Sequence, residues 1–260
     1  NATYATSLHV HGTNPRYFAD TTGKAILMAG HQIFCDLQDH EYGQPACYNA
    51  SQPTFDFTNF YIPFINTRGI NFVRNWSMFS TGTAGPTQVN TTPMPYVRST
   101  TCCSGDGENK FNLDVFNQAY FDRMAQRASE LAKQGKYISI SIGGDVFQFD
   151  EARWPFNVFK GSNNINGVDA DTNADGWGGE FWMSPSAALL ARQQAYYAKV
   201  IDTLNGFDNV IWETANEPGS VSWQIGIINY VRSYEQNKPK QHPILISWGG
   251  LCAPGFSFCN

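Results

Sequence analysis

The sequence predicts an α/β fold in which a parallel sheet is covered by helices on both faces. Three observations predict it. Strand-like and helix-like segments alternate along the chain. The strands at 70–76, 137–144, 209–217 and 242–248 are apolar runs rather than apolar–polar alternations, as parallel strands buried on both sides require. The chain has 260 residues and 42% hydrophobic content, enough for one large domain with a sizeable core. A (β/α)8 barrel and a doubly wound sheet both satisfy this pattern. No G-x-G-x-x-G or G-x-x-x-x-G-K-[ST] follows the first strand, which weakens nucleotide-binding versions of the second.

Each element has a local cause. Residues 1–24 lead in as a β-hairpin, with a turn at Thr22-Gly23, and 25–29 (Ala-Ile-Leu-Met-Ala) reads as the first core strand. Residues 55–67 form a helical patch that Gly69 ends, and 70–76 (Ile-Asn-Phe-Val-Arg-Asn-Trp) is a buried strand. A stretch rich in Thr, Pro, Gly and Cys, 80–110, reads as a long loop. Asn117 can cap a helix whose apolar face is Tyr120, Phe121, Met124, Ala128 and Leu131, with Gly135 as its stop. The strand 137–144 follows, then a polar loop over 145–183. Ser184-Pro185 opens a helix to about residue 203, and Asn205-Gly206 closes it. The strand 209–217, a helix over 222–235 and a strand over 242–248 complete the series.

Composition excludes some functions. Charged residues make up 15% and the net charge is −5, which is the wrong balance for a nucleic-acid partner. No apolar run approaches the roughly 18 residues of a membrane span. Cys35, Cys47, Cys102, Cys103, Cys252 and Cys259 show no zinc spacing. Cys35–Cys47 and Cys252–Cys259 are reasonable local disulfides among about 15 pairings. Sequons at Asn1, Asn49, Asn75 and Asn90, together with the cysteines, favour a secreted or extracellular glycoprotein. Aromatics at 15% fill a core or offer platforms to a sugar face.

The sharpest signal is Asn209–Gly219, "NVIWETANEPG". Strand alternation puts Glu213 and Glu217 on one side, Glu213 deeper and Glu217 at the carboxyl end, where parallel barrels collect their chemistry. Pro218 cannot continue the ladder and ends the strand. Arg74 sits inside an apolar strand and needs an acidic partner, because an unpaired buried charge is costly. Glu213 is the candidate, as half of a structural ion pair. His31, Trp76, Asp145, Trp212 and Trp248 occupy strand ends or neighbouring positions.

These residues resemble the fourth-strand motif of the clan A glycoside hydrolases, which are (β/α)8 enzymes. Three stretches, "NPRYFADTTGKAILMAGHQIFCDLQD", "WPFNVFKGSNNINGVD" and "LNGFDNVIWETANEP", look closest to the apiosidase-like group of that clan. The resemblance implies a single TIM-barrel domain over 1–260, its βα units running from residue 25. It implies a retaining hydrolase of polysaccharides or oligosaccharides that needs no cofactor, with Glu217 as general acid/base. Asn216, Arg74, His31 and Trp248 would shape the sugar subsite. In this clan the nucleophilic Glu ends the seventh strand. The segments here give about five of eight βα units, so the barrel is expected to be incomplete. The nucleophile then lies beyond residue 260, or a second chain completes the barrel. The rival reading is a non-catalytic carbohydrate-binding or structural assembly protein on the same scaffold.

One further motif stands apart. Residues 169–180, "DADTNADGWGGE", carry oxygens at positions 1, 3, 5, 7 and 12 of a twelve-residue window. Asp169, Asp171, Asn173, Asp175 and Glu180 therefore match the ligand spacing of a calcium loop, with Ala174 where that loop wants Gly. The loop is a candidate site for a structural Ca2+, with a plain polar, turn-rich loop as the reading it is weighed against.

Overall fold

The computed structural model describes residues 4–32, 35–39, 55–82, 91–218, 220–246 and 258–259. The chain opens with three short antiparallel strands, β1 (His9–Val10), β2 (Phe18–Ala19) and β3 (Ala25–Ile26). Gly23 at φ +83° makes the tight β2–β3 turn, and Asp20 accepts the N–H groups of Thr22 and Lys24.

The lead-in therefore reaches Ile26, and 25–29 is not a core strand as the apolar run suggested. Asn71 breaks it: its side chain accepts from Ala29 N–H and donates to the Leu27 carbonyl, replacing a ladder partner. The first strand of the parallel sheet is β4 (Gly30–Gln32). After it come β5 (Phe72–Trp76), β6 (Tyr96–Cys102), β7 (Asn109–Phe116), β8 (Tyr137–Ser141), β9 (Val210–Glu213), β10 (Ile244–Ile246) and β11 (Phe258–Cys259).

Strands β4, β5, β8, β9, β10 and β11 lie side by side in that order, every pair parallel. Among the described residues that is six strands where the sequence gives five, because β11 is two residues long in a Pro- and Gly-containing stretch. Strands β6 and β7 pair antiparallel inside what reads as a long loop. Turn residues dominate that stretch, yet Tyr96, Val97, Thr100 and Thr101 are good strand formers. Cys102 and Cys103 bring their sulfurs together at the end of β6. Cys47 and Cys252 lie outside the described residues, as do Asn1, Asn49 and Asn90. Asn75 is 1% exposed on β5, so its sequon is closed to a glycan in the folded chain.

Among the described residues five α-helices accompany the strands: α1 (Ile62–Thr67), α2 (Gln118–Lys133), α3 (Glu180–Met183), α4 (Ala187–Leu204) and α5 (Val221–Glu235). Asn117 caps α2 by accepting from Ala119 N–H, and the five apolar residues expected on its buried face are all buried. Ser186 caps α4, two residues later than the sequence suggests, because its hydroxyl reaches Leu189 N–H. Ser220 does the same for α5 through Trp223 N–H. No described helix is long and apolar enough to cross a membrane.

The two faces of the sheet have different cores. On one, Val73, Ile138, Ile140, Val210, Trp212 and Ile244 pack with Tyr120, Phe121, Tyr196, Val200 and Ile227 of the helices. On the other, Phe72, Tyr137, Ile211 and Leu245 meet Leu8 and Phe18 of the lead-in sheet. Tyr137 and Phe72 are the first residues of their strands. The lead-in thus covers the amino end of this second face, and the carboxyl end is left to polar side chains.

Candidate active site

The polar end of that face is built across three strands. Arg74 on β5 donates from Nε to Glu213 Oε2 at 2.8 Å, and its Nη2 pairs with Oε1 of the same carboxylate. Strand β8 lies between them, and its residues on this face are Ser139 and Ser141. Serines are short enough for Arg74 to reach over them. Glu213 is 1% exposed, so the ion pair expected from Arg74 in an apolar strand is present. Burial pushes the Arg74 guanidinium down, but the hydrogen bond and charge of Glu213, with Asp145 and Glu217, hold it above its ordinary value.

Arg74 also fixes the next residues. Its Nη2 donates to Asn216 Oδ1 at 2.9 Å, and Nη1 reaches Gln32 Oε1 at 3.4 Å. Asn216 Nδ2 donates to Asp145 Oδ2 at 2.6 Å, and Asp145 Oδ1 accepts from Phe147 N–H at 2.7 Å. The result is a chain of contacts, Glu213–Arg74–Asn216–Asp145, running over β9, β5 and the loops that follow β8 and β9. The backbones are tied as well: Asn216 N–H donates to Gly144 O at 2.9 Å. This close approach requires glycine. A Cβ at Gly143 would stand 2.5 Å from the Thr214 carbonyl oxygen, and Gly144 has φ +77°.

Glu217 follows directly. The sequence runs the strand to residue 217, but β9 ends at Glu213. Glu217 has φ +51° and is exposed, followed by buried Pro218. Alternation therefore does not carry from Glu213 to Glu217; a left-handed turn aims the second carboxylate. It remains at the same end of the sheet, where its charge acts on both Arg74 and Asp145. A left-handed Glu before proline is a strained backbone, of a kind that collects at functional sites.

Asp145 is 2% exposed, and burial pushes its carboxyl up to about 6. The Phe147 N–H, the Asn216 amide and Arg74 oppose that rise, and the Glu217 charge adds to it.

Other expected site residues fall elsewhere. His31 pairs in register with Val73, one residue off the side that carries Arg74. Its ring packs against Tyr61 and Phe64, and Nδ1 meets the Tyr61 hydroxyl at 2.8 Å. Burial, then the Arg68 charge, lowers its pKa. His31 thus belongs to the helix-facing layer, and its neighbour Gln32 is the β4 residue that meets Arg74. The sequence puts His31 after a strand at 25–29; in the structure it lies within β4, where its register opposite Val73 fixes the side it takes. Trp212 likewise faces the helix layer, against His242. Trp76 stays near the site, with Arg74 over its ring at 5.4 Å. Trp248 lies outside the described residues.

The acidic loop does not gather as a calcium site. Asp169 accepts from Gly161 and Asp171 N–H, Asp171 from Asp175 and Gly176 N–H, and Asp175 from Trp177 N–H. Asn173 donates to Asp175 and accepts from its N–H, while Glu180 begins α3. The side-chain oxygens of Asp169, Asp171, Asn173 and Asp175 accept backbone N–H groups in and beside the loop. Among the described residues no three His, Cys, Asp or Glu side chains are grouped to hold an ion.

A cleft of about 650 Å³ opens beside the β6–β7 hairpin, lined by Tyr96, Arg98, Asp106 and Phe111 among others. None of its lining residues belongs to the Arg74–Asp145 chain. The hydrogen-bond geometry, not this cleft, marks the candidate site.

The fold is of the (β/α)8 type, its described strands matching part of such a barrel. No family model matches the chain, and no curated protein matches it. Solved structures do. A glycoside hydrolase family 5 mannosidase from Rhizomucor miehei overlays with TM-score 0.58 at 14% identity, over 94% of this chain and 56% of that one. An endo-1,4-beta-mannanase from the same organism overlays with TM-score 0.54 at 12% identity, over 96% of this chain and 63% of that one. A putative glycoside hydrolase from Bacteroides vulgatus gives TM-score 0.54 at 15% identity, over 93% of this chain and 38% of that one. The chain thus spans less than two thirds of these proteins' lengths, and at such identities the likeness is one of fold.

Proposed function

We propose that this chain carries the acid/base half of a retaining clan A-type glycoside hydrolase, with Glu217 as general acid/base. One observation carries the reading. Glu217 directly follows Asn216 at the carboxyl end of a parallel strand, and Asn216 is locked between Arg74 and Asp145. The solved structures of similar fold, glycoside hydrolases including a mannosidase and a mannanase, support it. So does the apiosidase-like character of the three stretches noted in the sequence, which names a narrower group within the clan.

In this reading Glu217 protonates the leaving glycosidic oxygen, then deprotonates water. Its exposure leaves it reachable by a polymer. A retaining partner carboxylate must stand about 5–5.5 Å away. Glu213 is tied to Arg74, and Asp145 to Asn216 and Phe147, so neither is assigned the nucleophile's role. Asn216, with its amide oriented, is the group for a sugar hydroxyl, and Trp76 is a neighbouring apolar surface. The cysteine and sequon content supports an exported protein.

Release of reducing ends by the full-length protein from β-1,4-mannan and a panel of other β-linked polysaccharides tests the reading. Glu217→Gln is expected to lower kcat by about 10²–10⁴-fold while sparing polysaccharide binding. Turnover unchanged in that variant removes Glu217 from its role. Binding to polysaccharide gels without turnover by the wild type replaces the enzyme with the carbohydrate-binding alternative.

A further inference from the structure

We infer that Asp145 is a positioning residue: it orients the Asn216 amide and, through the backbone tie between 144–146 and 216, sets the turn that aims Glu217. The inference rests on the acid/base reading of Glu217. Asp145 is absent from the sequence motif that suggested the function, and it lies 71 residues from Asn216 in the chain.

The geometry carries it. An asparagine amide has two faces and can flip. Here Arg74 Nη2 demands an acceptor and Asp145 Oδ2 demands a donor, so only one orientation satisfies both. Asp145 is itself anchored at Oδ1 by Phe147 N–H and is 2% exposed. Around it the main chain is clamped by Asn216 N–H to Gly144 O and by Val146 N–H to Asn216 O at 3.3 Å. Glu217 is the next residue, and its φ of +51° leaves it dependent on this clamp.

The same contacts make the arrangement sensitive to protons. Both Asp145 oxygens serve as acceptors, and a proton on either weakens one of the two bonds. The charges acting on Asp145 are Glu217, which favours its protonation, and Arg74 from β5, which opposes it. With the carboxyl raised to about 6 by burial, the Asn216 lock is complete above that pH and loosens below it.

Two measurements on the full-length protein test this. First, the Asn216 side-chain amide signals, followed by 15N NMR in the wild type and in Asp145→Asn, are expected to shift with a midpoint near 6 in the wild type only. Asn216 signals that ignore pH in the wild type overturn the inference, whatever the activity. Second, Asp145→Asn is expected to lower kcat/KM by about a hundredfold, the loss for a reacting group misplaced by about 1 Å. It should act on kcat more than KM and remove the acidic limb of the pH profile near 6. If Glu217→Gln abolishes hydrolysis while Asp145→Asn keeps the wild-type kcat and pH profile, the positioning role is wrong and the function stands. If hydrolysis is absent in the wild type, the function falls, and the amide titration alone decides whether Asp145 locks Asn216.

Discussion

Two regions of this molecule are dense in carboxylates, and their oxygens are spent in opposite ways. At the carboxyl ends of β8 and β9, the carboxylates of Asp145 and Glu213 meet side chains 71 and 139 residues away. In the loop 169–180, the side-chain oxygens accept N–H groups two to eight residues away. The first pattern ties separate elements to one point and leaves an oriented amide and an exposed carboxylate there. The second makes a turn. Local spacing describes both equally well, so spacing cannot tell a site from a loop; the partners of the oxygens can.

The largest expected effect breaks the first region. Arg74→Met leaves Glu213 buried without its cation and should cost about 3–5 kcal/mol by chemical denaturation. Arg74→Met/Glu213→Leu should recover most of that loss, because replacing a buried pair with apolar side chains is often close to neutral. A double variant no more stable than the single one would mean that the pair does more than neutralise charge.

A smaller effect tests the second region. Asp171→Ala removes the acceptor for two backbone N–H groups and should cost about 1–2 kcal/mol. Millimolar Ca2+ should leave the melting temperature of the wild type and this variant unchanged. A calcium-dependent rise in the wild type alone would restore the metal reading and erase the contrast between the regions.

The smallest effect is at Ala174, which sits at φ +60° within that loop. Ala174→Gly should add about 0.5 kcal/mol, relief of the left-handed backbone outweighing the extra freedom of glycine in the unfolded chain. Destabilisation would show that the loop's turns do not depend on this conformation.

The legible parts of the fold were those with local causes. Asn117, the apolar face of α2 and the Gly135 stop could be read directly, since capping and helical periodicity act within a few residues. The Arg74–Glu213 pair was legible for a different reason: a charge inside an apolar strand must find a partner, and few were on offer. The hairpin β6–β7 and the break at Asn71 were not legible. Turn residues between and around its strands hid the hairpin, and the break depends on a side chain 42 residues along the chain from Ala29 that an apolar run hid.

What the sequence by itself determined, then, was the alternation of elements and the buried ion pair of Arg74 with Glu213. Only the tertiary structure decided which face each residue takes. It turned His31 away and Gln32 inward, stopped β9 at Glu213, and brought Asp145 onto Asn216. The physical reason is that side-chain direction reverses with every residue of a strand and with every left-handed turn. An error of one position in register is invisible in composition yet complete in space.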